Sequence, residues 1–271
     1  MHERPYLNGQ YWEDNPDFFC GDSEWKAQYL FELAMSLPKE SLPTQTATVC
    51  EVGCGAGGVL NSFVSRLQEE GLNCTGVGFD ISQEALNKAR SLFPDLEFER
   101  ASVFEIERTF DIVLVVDVLE HLESPVAFLH RCLSLARVIV IHLPLDENLW
   151  GKLLHGKSYY EYLRGDRGHV KFFDKTRGFR LIRAAGGDLL AWKYTPWGLE
   201  HDFDHSRTGM MVRILRRISF HISMDLGVRV FGGASLAAVC APPQRSPLRH
   251  VLQKRREEQG VQSSQVDLLP L

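Results

Sequence analysis

The stretch A-T-V-C-E-V-G-C-G-A-G-G, Ala47–Gly58, constrains this chain more than any other. Ala47–Val52 has the β-branched, apolar character of a buried strand, and Glu51 lies near its carboxyl end. Gly53, Cys54, Gly55, Ala56 and Gly57 follow as a tight turn without bulky side chains. Val59–Glu70 then repeats apolar residues at helical spacing: Val59, Leu60, Phe63, Val64 and Leu67. Strand, glycine turn and helix are therefore expected in succession. Such a turn lets a ligand approach backbone amides and a helix amino terminus, because glycine has no Cβ to block it. The ligand is of nucleotide type; the turn alone leaves its identity open.

Strand and helix signals alternate from there on. Asn73–Phe79 (ended by Asp80), Leu96–Ala101, Phe110–Val116 (ended by Asp117) and Arg137–His142 (closed by Pro144) read as strands. Ser82–Phe93, capped by Ser82, and Pro125–Ala136 read as helices. Each parallel crossover needs about a dozen residues, which this spacing supplies. The expectation is an α/β fold with a parallel sheet and helices on both faces. Ligands of such sheets bind beyond the carboxyl ends of the strands, where Gly53, Asp80, Ser102, Asp117 and His142 fall. Asp188–Thr195 and Ser235–Ala241 read as two further strands.

The remaining segments divide the chain. Residues 1–45 read as an aromatic arm and a cap helix from Glu24 to Leu37, with Asp22-Ser23 as its cap. The main domain is placed at 46–241, with a lid-like irregular insert at 143–174 and a second insert at 197–233. From Pro242 the composition turns polar, so 242–271 reads as a loose tail.

A formal net charge of −5 gives no electrostatic argument for nucleic acid as a partner. The six cysteines form no C-x-x-C pair and sit mostly in apolar runs, so they read as buried, reduced thiols. The amino terminus lacks the apolar run of a signal peptide, and no stretch approaches the ~20 apolar residues of a membrane span. The expected setting is the cytoplasm.

Two cofactors compete for the glycine turn. Gly53-x-Gly55-x-x-Gly58, with Asp80 about 20 residues on, satisfies the dinucleotide fingerprint. The same residues read as E-x-G-x-G-x-G, Glu51 through Gly57, and V-C-E-V-G-C-G-A-G, G-V-G-F-D and F-D-I-V-L-V-V-D-V-L-E-H-L follow one another in order. With those motifs the chain resembles the class I S-adenosylmethionine-dependent methyltransferases over about Ala47–Gly187. G-H-V-K-F-F (Gly168–Phe173) and the A-A-G-G helix end are similar to the small-molecule and lipid type, including the ubiquinone-pathway enzymes.

The resemblance implies a Rossmann-like seven-stranded sheet, mostly parallel with an antiparallel C-terminal strand, and S-adenosylmethionine as cofactor. It implies that Gly53, Cys54, Gly55 and Gly57 lie against the methionine part and that Glu51 holds the ammonium. Asp80 would accept from the ribose hydroxyls, Ile81 cover the adenine, and Asp117 and Val118 lie near the methionine. Ser102 stands where the family commonly has aspartate beside the adenine amino group, and the amide of Val103 would donate to the ring. A physical argument points the same way: a carboxylate before the glycines suits an ammonium and would repel a pyrophosphate.

Methyl transfer is an in-line displacement, and a base is needed only when the nucleophile must lose a proton. His142, at the end of the fifth strand, is the first candidate, followed by His121 and His169. Each has a plainer role available, in packing or in orienting backbone. His201, Asp202, Asp204 and His205 invite a metal reading, as do Glu120, His121 and Glu123; solvated surface groups are the default for both, and no metal is expected. Arg207–Phe220 mixes arginines with apolar residues; the expected arrangement packs the apolar side on the sheet with arginines in water, and an anionic membrane surface is the alternative.

The sequence thus reads as an enzyme methylating a small-molecule or lipid-like acceptor, at oxygen rather than nitrogen because of the histidines. Its rivals are an NAD(P)-dependent oxidoreductase and a catalytically silent methyltransferase-like binding protein.

Overall fold

The computed structural model describes residues 20–38, 41–43, 45–165, 167–200 and 207–243. Its order is α1 (Ser23–Met35), β1 (Thr46–Val52), α2 (Gly58–Glu69), β2 (Asn73–Asp80), α3 (Gln83–Leu92), β3 (Glu97–Arg100) and β4 (Phe110–Val116). Then come α4 (Pro125–Leu135), β5 (Ala136–Pro144), α5 (Gly156–Gly165), α6 (Lys175–Ala184), β6 (Asp188–Thr195), the short α7 (Trp197–Glu200), α8 (Arg207–Ile222), α9 (Met224–Phe231) and β7 (Ser235–Ala241).

The strands form one seven-stranded sheet in the order β3-β2-β1-β4-β5-β7-β6. Pairs among β1 to β5 are parallel, and β7 runs antiparallel to both β5 and β6. The α/β sheet expected from sequence is present, antiparallel C-terminal strand included. Alternating residues explain why the central parts of β4 and β5, Ile112–Val116 and Val138–Ile141, are apolar without interruption. Ile112, Leu114, Val138 and Val140 face one core with Leu30, Leu60, Phe63 and Leu86. Val113, Val115, Ile139 and Ile141 face the other with Leu129, Leu133, Leu181 and Ile182. A strand covered on both faces needs no polar alternation, and each such side chain contributes about 1.5–3 kcal/mol on burial.

Several local details differ from the expectation. Ser82 caps α3 as foreseen, accepting from the Ala85 amide at 3.3 Å. Asp22 sits at the α1 cap position without a capping bond; its carboxylate turns to Lys26, 2.8 Å away. Helix α1 packs Ala27, Leu30, Leu33 and Ala34 into the same core as β1 and β4. The insert after β5 is not irregular: it holds a π-helical turn, Gly151–His155, and α5. The second insert opens on a short helix, Trp197–Glu200. It also carries α8 and α9, separated at Ser223, which caps α9.

The orientation of α8 reverses the expected one. Met210, Met211, Ile214, Ile218 and Ile222 are exposed, while the Arg216 guanidinium turns inward to the carbonyls of Gly198 and Phe231. Arg216 supplies the donor for both of those carbonyls, which lie at the beginning and end of the insert. Cys50, Cys54, Cys74, Cys132 and Cys240 are buried free thiols, as expected. Among the described residues no helix is long and apolar enough to cross a membrane.

Candidate active site

The direction of strand addition reverses between β1 and β4, which places a crevice at their carboxyl ends. The turn after β1 forms one wall. Gly53 has φ +77°, and a Cβ on it would meet Val118 Cγ2 at 2.6 Å, so only glycine lets the β1 and β4 turns approach this closely. Its amide and that of Cys54 donate to the Phe79 carbonyl at 2.8 and 3.0 Å, tying the turn to β2. The Gly55 amide donates to Asp80 Oδ2 at 2.9 Å, and the Ser82 amide to Asp80 Oδ1 at 2.8 Å.

Burial raises the Asp80 carboxyl above the ordinary aspartate range, although the amides of Ser82, Gly55 and Ile81 pull it back. Three amides on two carboxyl oxygens still leave an acceptor site free. Glu51 is 2 % exposed and accepts from the Leu60 amide at 2.9 Å. Burial pushes its carboxyl up to about 8, with the Leu60 bond opposing and the negative Asp80 adding to the rise.

The other wall is a buried relay that sequence reading did not foresee. Asp117 has φ +52°, a left-handed conformation that costs about 1–3 kcal/mol and persists only when its surroundings fix it. Lys26 Nζ, from α1, lies 2.8 Å from Asp117 Oδ2, and His142 Nδ1 lies 2.6 Å from Asp117 Oδ1. His142 Nε2 is in turn 2.9 Å from the Thr195 hydroxyl. With Nδ1–H donating to the carboxylate, Nε2 accepts from threonine. Burial works against the Asp117 charge, but Lys26 and His142 outweigh it and hold the carboxyl well below its usual range. His142 is 2 % exposed and has both ring nitrogens engaged.

Beyond β3, the Ser102 amide donates to the Glu105 carboxylate at 2.7 Å, and Glu105 N donates back to the Ser102 carbonyl at 2.9 Å. That tight turn leaves Ser102 half-buried and puts the Val103 side chain in the core. Ile81 is half-buried, its carbonyl accepting from Arg100 at 3.1 Å.

The other two histidines meet in a second cluster, with ring centroids 5.0 Å apart. His121 Nδ1 is 3.1 Å from the Gly168 carbonyl, which fixes the proton there and leaves a lone pair on Nε2. His169 Nδ1 is 2.6 Å from Asp146 Oδ2, with the same consequence for its Nε2. The Glu120 carbonyl accepts from the amides of Val170 at 2.8 Å and Lys171 at 3.0 Å, which pins the G-H-V-K turn to the segment after β4. Glu120 is fully buried, not solvated, and neither carboxyl oxygen has a hydrogen-bond partner. Burial, and then the nearby Asp117 charge, raise its carboxyl well above the glutamate range. Burial pushes His121 down to about 4, so it is neutral near pH 7. Ligand atoms of Glu120, His121 and His169 lie within 4.8 Å of one another and could hold a divalent cation. The segment 201–205, the other metal candidate, lies outside the described residues.

A family profile described as a methyltransferase domain matches residues 24–190. The chain belongs to that methyltransferase family. It is of the class I, S-adenosylmethionine-dependent kind, with the sheet order and glycine turn described above. The methyltransferase is 31 % identical over 165 residues to the ubiquinone biosynthesis O-methyltransferase of Aromatoleum aromaticum, covering 55 % of this chain and 68 % of that protein. To the enzyme of the same name from Thiobacillus denitrificans it is 29 % identical over 183 residues, covering 60 % and 76 %. A methyltransferase structure from Bacillus halodurans superposes with a TM-score of 0.52 at 18 % identity, covering 80 % of this chain and 98 % of that one.

The crevice of the methyltransferase suits its cofactor chemically. Glu51 is a carboxyl group at the glycine turn, where an ammonium has an acid to meet and a pyrophosphate has not. Asp80 has acceptor capacity left for a diol. Lys26, Thr195 and Asp146 enter this site without a sequence signal of their own: Lys26 lies on a helix whose pattern reports only its apolar face, and Thr195 ends a strand on the far side of β7. Lys-to-Asp spacing across the chain carries no periodic mark.

Proposed function

We propose that the methyltransferase transfers a methyl group from S-adenosylmethionine to a hydroxyl oxygen of a small-molecule or lipid-like acceptor. The observation that carries this reading is the 2.6 Å contact between Asp146 and His169 Nδ1, which leaves Nε2 basic and oriented. A carboxylate-oriented imidazole is the group an oxygen nucleophile needs to lose its proton. The relatives' names, O-methyltransferases of ubiquinone biosynthesis, support both oxygen and a lipid-like acceptor.

Bound S-adenosylmethionine supplies a methyl group already activated on a sulfonium. In this reading Glu51 meets the ammonium, Asp80 the ribose hydroxyls, and Gly53, Cys54, Gly55 and Gly57 the methionine chain. Val118 and the Asp117 backbone close the methionine side, while Ile81, Ser102 and Val103 border the adenine. His169 takes the acceptor proton, and Asp146 stabilises the imidazolium. His121, neutral beside it, adds no charge that would oppose this. His142 serves as a positioning group for Asp117 rather than as the base. Segment 143–174 lies over the acceptor as a lid.

A second reading follows from the unpartnered Glu120 carboxyl between two Nε2 lone pairs: a divalent cation at Glu120, His121 and His169 would lower the acceptor hydroxyl's pKa. Methyl-labelled S-adenosylmethionine incubated with a lipid extract should give a labelled product that survives mild base, which releases methanol from a methyl ester, and that stays uncharged in acid, unlike an N-methyl amine. Full turnover after chelation excludes the cation. Tight binding of S-adenosylhomocysteine without any labelled product would support the silent binding protein, and binding of NADH alone would support the oxidoreductase.

A further inference from the structure

We propose that α8 docks the protein on an anionic lipid surface. At 100° per residue, Met210, Ile214, Ile218, Met211 and Ile222 fill an arc of about 120° of the helix, the width of an apolar face made for burial. Here that face is in water: Met210 is 58 % exposed, Ile214 55 %, Ile218 53 % and Ile222 77 %. A contiguous apolar row of this kind on a surface marks an interaction site.

The inner face shows why the helix does not simply roll over. Arg216 donates to the Gly198 carbonyl at 3.2 Å and to the Phe231 carbonyl at 2.9 Å, fastening both ends of the insert. Phe220 packs against the sheet's core on the same side. The apolar arc is therefore held outward by polar bonds beneath it.

Charge selects the occupant. The 16 residues of α8 include four arginines and His221 and no acidic residue. At the same spacing Arg217 borders the Met210 edge of the arc and His221 falls between Met210 and Ile214; both are exposed, as is Arg229 on α9. Asp225, the acidic residue of α9, is already paired with Lys175 and the Tyr194 hydroxyl. An acid-free helix with a basic edge matches the headgroup boundary of an anionic bilayer, where apolar side chains enter the acyl region and arginines meet phosphate.

The placement adds a use for this contact. Thr195 of β6 and Ser235 of β7 are paired, so the insert carrying α8 leaves and rejoins the sheet at the edge where Asp117 and His142 lie. Trp150 and Phe231, 5.5 Å apart, join it to the segment after β5. A lipid-like acceptor would meet the protein on the side where it is consumed.

The test is flotation of the full chain with vesicles of phosphatidylcholine alone, or with about a third phosphatidylglycerol, at low and high salt. Binding to the anionic vesicles, weakened by salt, is expected. Ile214→Asp with Ile218→Asp should weaken it at least ~10-fold. Arg217→Glu with His221→Glu should remove the preference for phosphatidylglycerol. Should the aspartate pair fail to fold, Met210→Ser with Met211→Ser gives the same readout. Absence of binding to anionic vesicles at low salt overturns the proposal. So does a dimer, seen by sedimentation, that the aspartate pair converts to monomer without any vesicle binding, since a second copy would then be the occupant. Vesicle binding is read without cofactor or acceptor, so its failure leaves the methyl-transfer reading standing.

Discussion

Lys26 and Asp117, 91 residues apart by number, hold each other at 2.8 Å and join the first helix to the end of the central strand β4. The bond supports the one non-glycine residue with positive φ among those described. Lys26→Met removes the cation and leaves Asp117 facing a neutral wall. A loss of about 2–3 kcal/mol in unfolding free energy is expected, below the figure for a fully buried pair because Asp117 keeps 26 % of its side chain exposed. Urea denaturation measures it, and S-adenosylhomocysteine affinity should fall in the same variant.

His142→Gln separates positioning from proton transfer. The variant should raise the KM for S-adenosylmethionine and lower the melting temperature, because Asp117 and Thr195 lose their shared partner. At saturating cofactor its kcat should stay within about fivefold of the parent. A ~100-fold loss of kcat with KM unchanged would return the base role to His142.

His169→Gln should do the opposite. Turnover is expected to drop at least ~100-fold while S-adenosylhomocysteine still binds. Asp146→Asn, which leaves the imidazole but removes its charged partner, should show a smaller loss of kcat.

Glu51 makes cofactor binding depend on pH. With its carboxyl pushed up to about 8, Glu51 is neutral near pH 7 and must lose its proton to meet an ammonium. Affinity for S-adenosylhomocysteine should rise by up to about tenfold per unit as pH climbs from about 6 to about 8, with a proton released on binding. The sign for the unliganded fold is reversed. An acid whose folded pKa lies above its unfolded value of about 4.3 stabilises least once it is ionised, so stability should fall across the same rise. Calorimetry in two buffers checks the first, and Glu51→Gln should flatten the dependence.

Gly53→Ala tests the narrow crevice. Its Cβ would lie 2.6 Å from Val118 Cγ2 on a backbone with φ +77°, so a loss of about 2 kcal/mol is expected. Val118→Ala added to it should recover the steric part only, which thermal melts of the three variants will show.

Periodic and local signals in the sequence located the sheet. The short, β-branched runs Ile112 to Val116 and Val138 to Ile141 read as strands covered on both sides, and Gly53 to Gly57 announced the turn that β1 feeds. The family motifs located Glu51, Asp80 and Asp117 on one rim of that sheet. Lys26 and Thr195 escaped notice because their partners come from distant strands, and no local pattern encodes such pairing. For His142 the position at a strand end was legible, and the two hydrogen bonds to Asp117 and Thr195 that occupy its ring nitrogens were not. The face of α8 was misjudged for a related reason. Its amphipathic period was clear, but which side turned inward depended on the carbonyls of Gly198 and Phe231.

The antiparallel course of β7 has a consequence for how such a protein can change. Because β6 ends where β7 begins, the chain from Pro196 to Ala234 is a detour with both feet on one rim, and the residues before Gly187 that line the donor crevice do not depend on its length. Closing a longer detour adds little, about 0.6 kcal/mol for each doubling. If α8 is the lipid contact proposed above, the lodging place of this module can be rewritten without retuning the grip on the methyl donor.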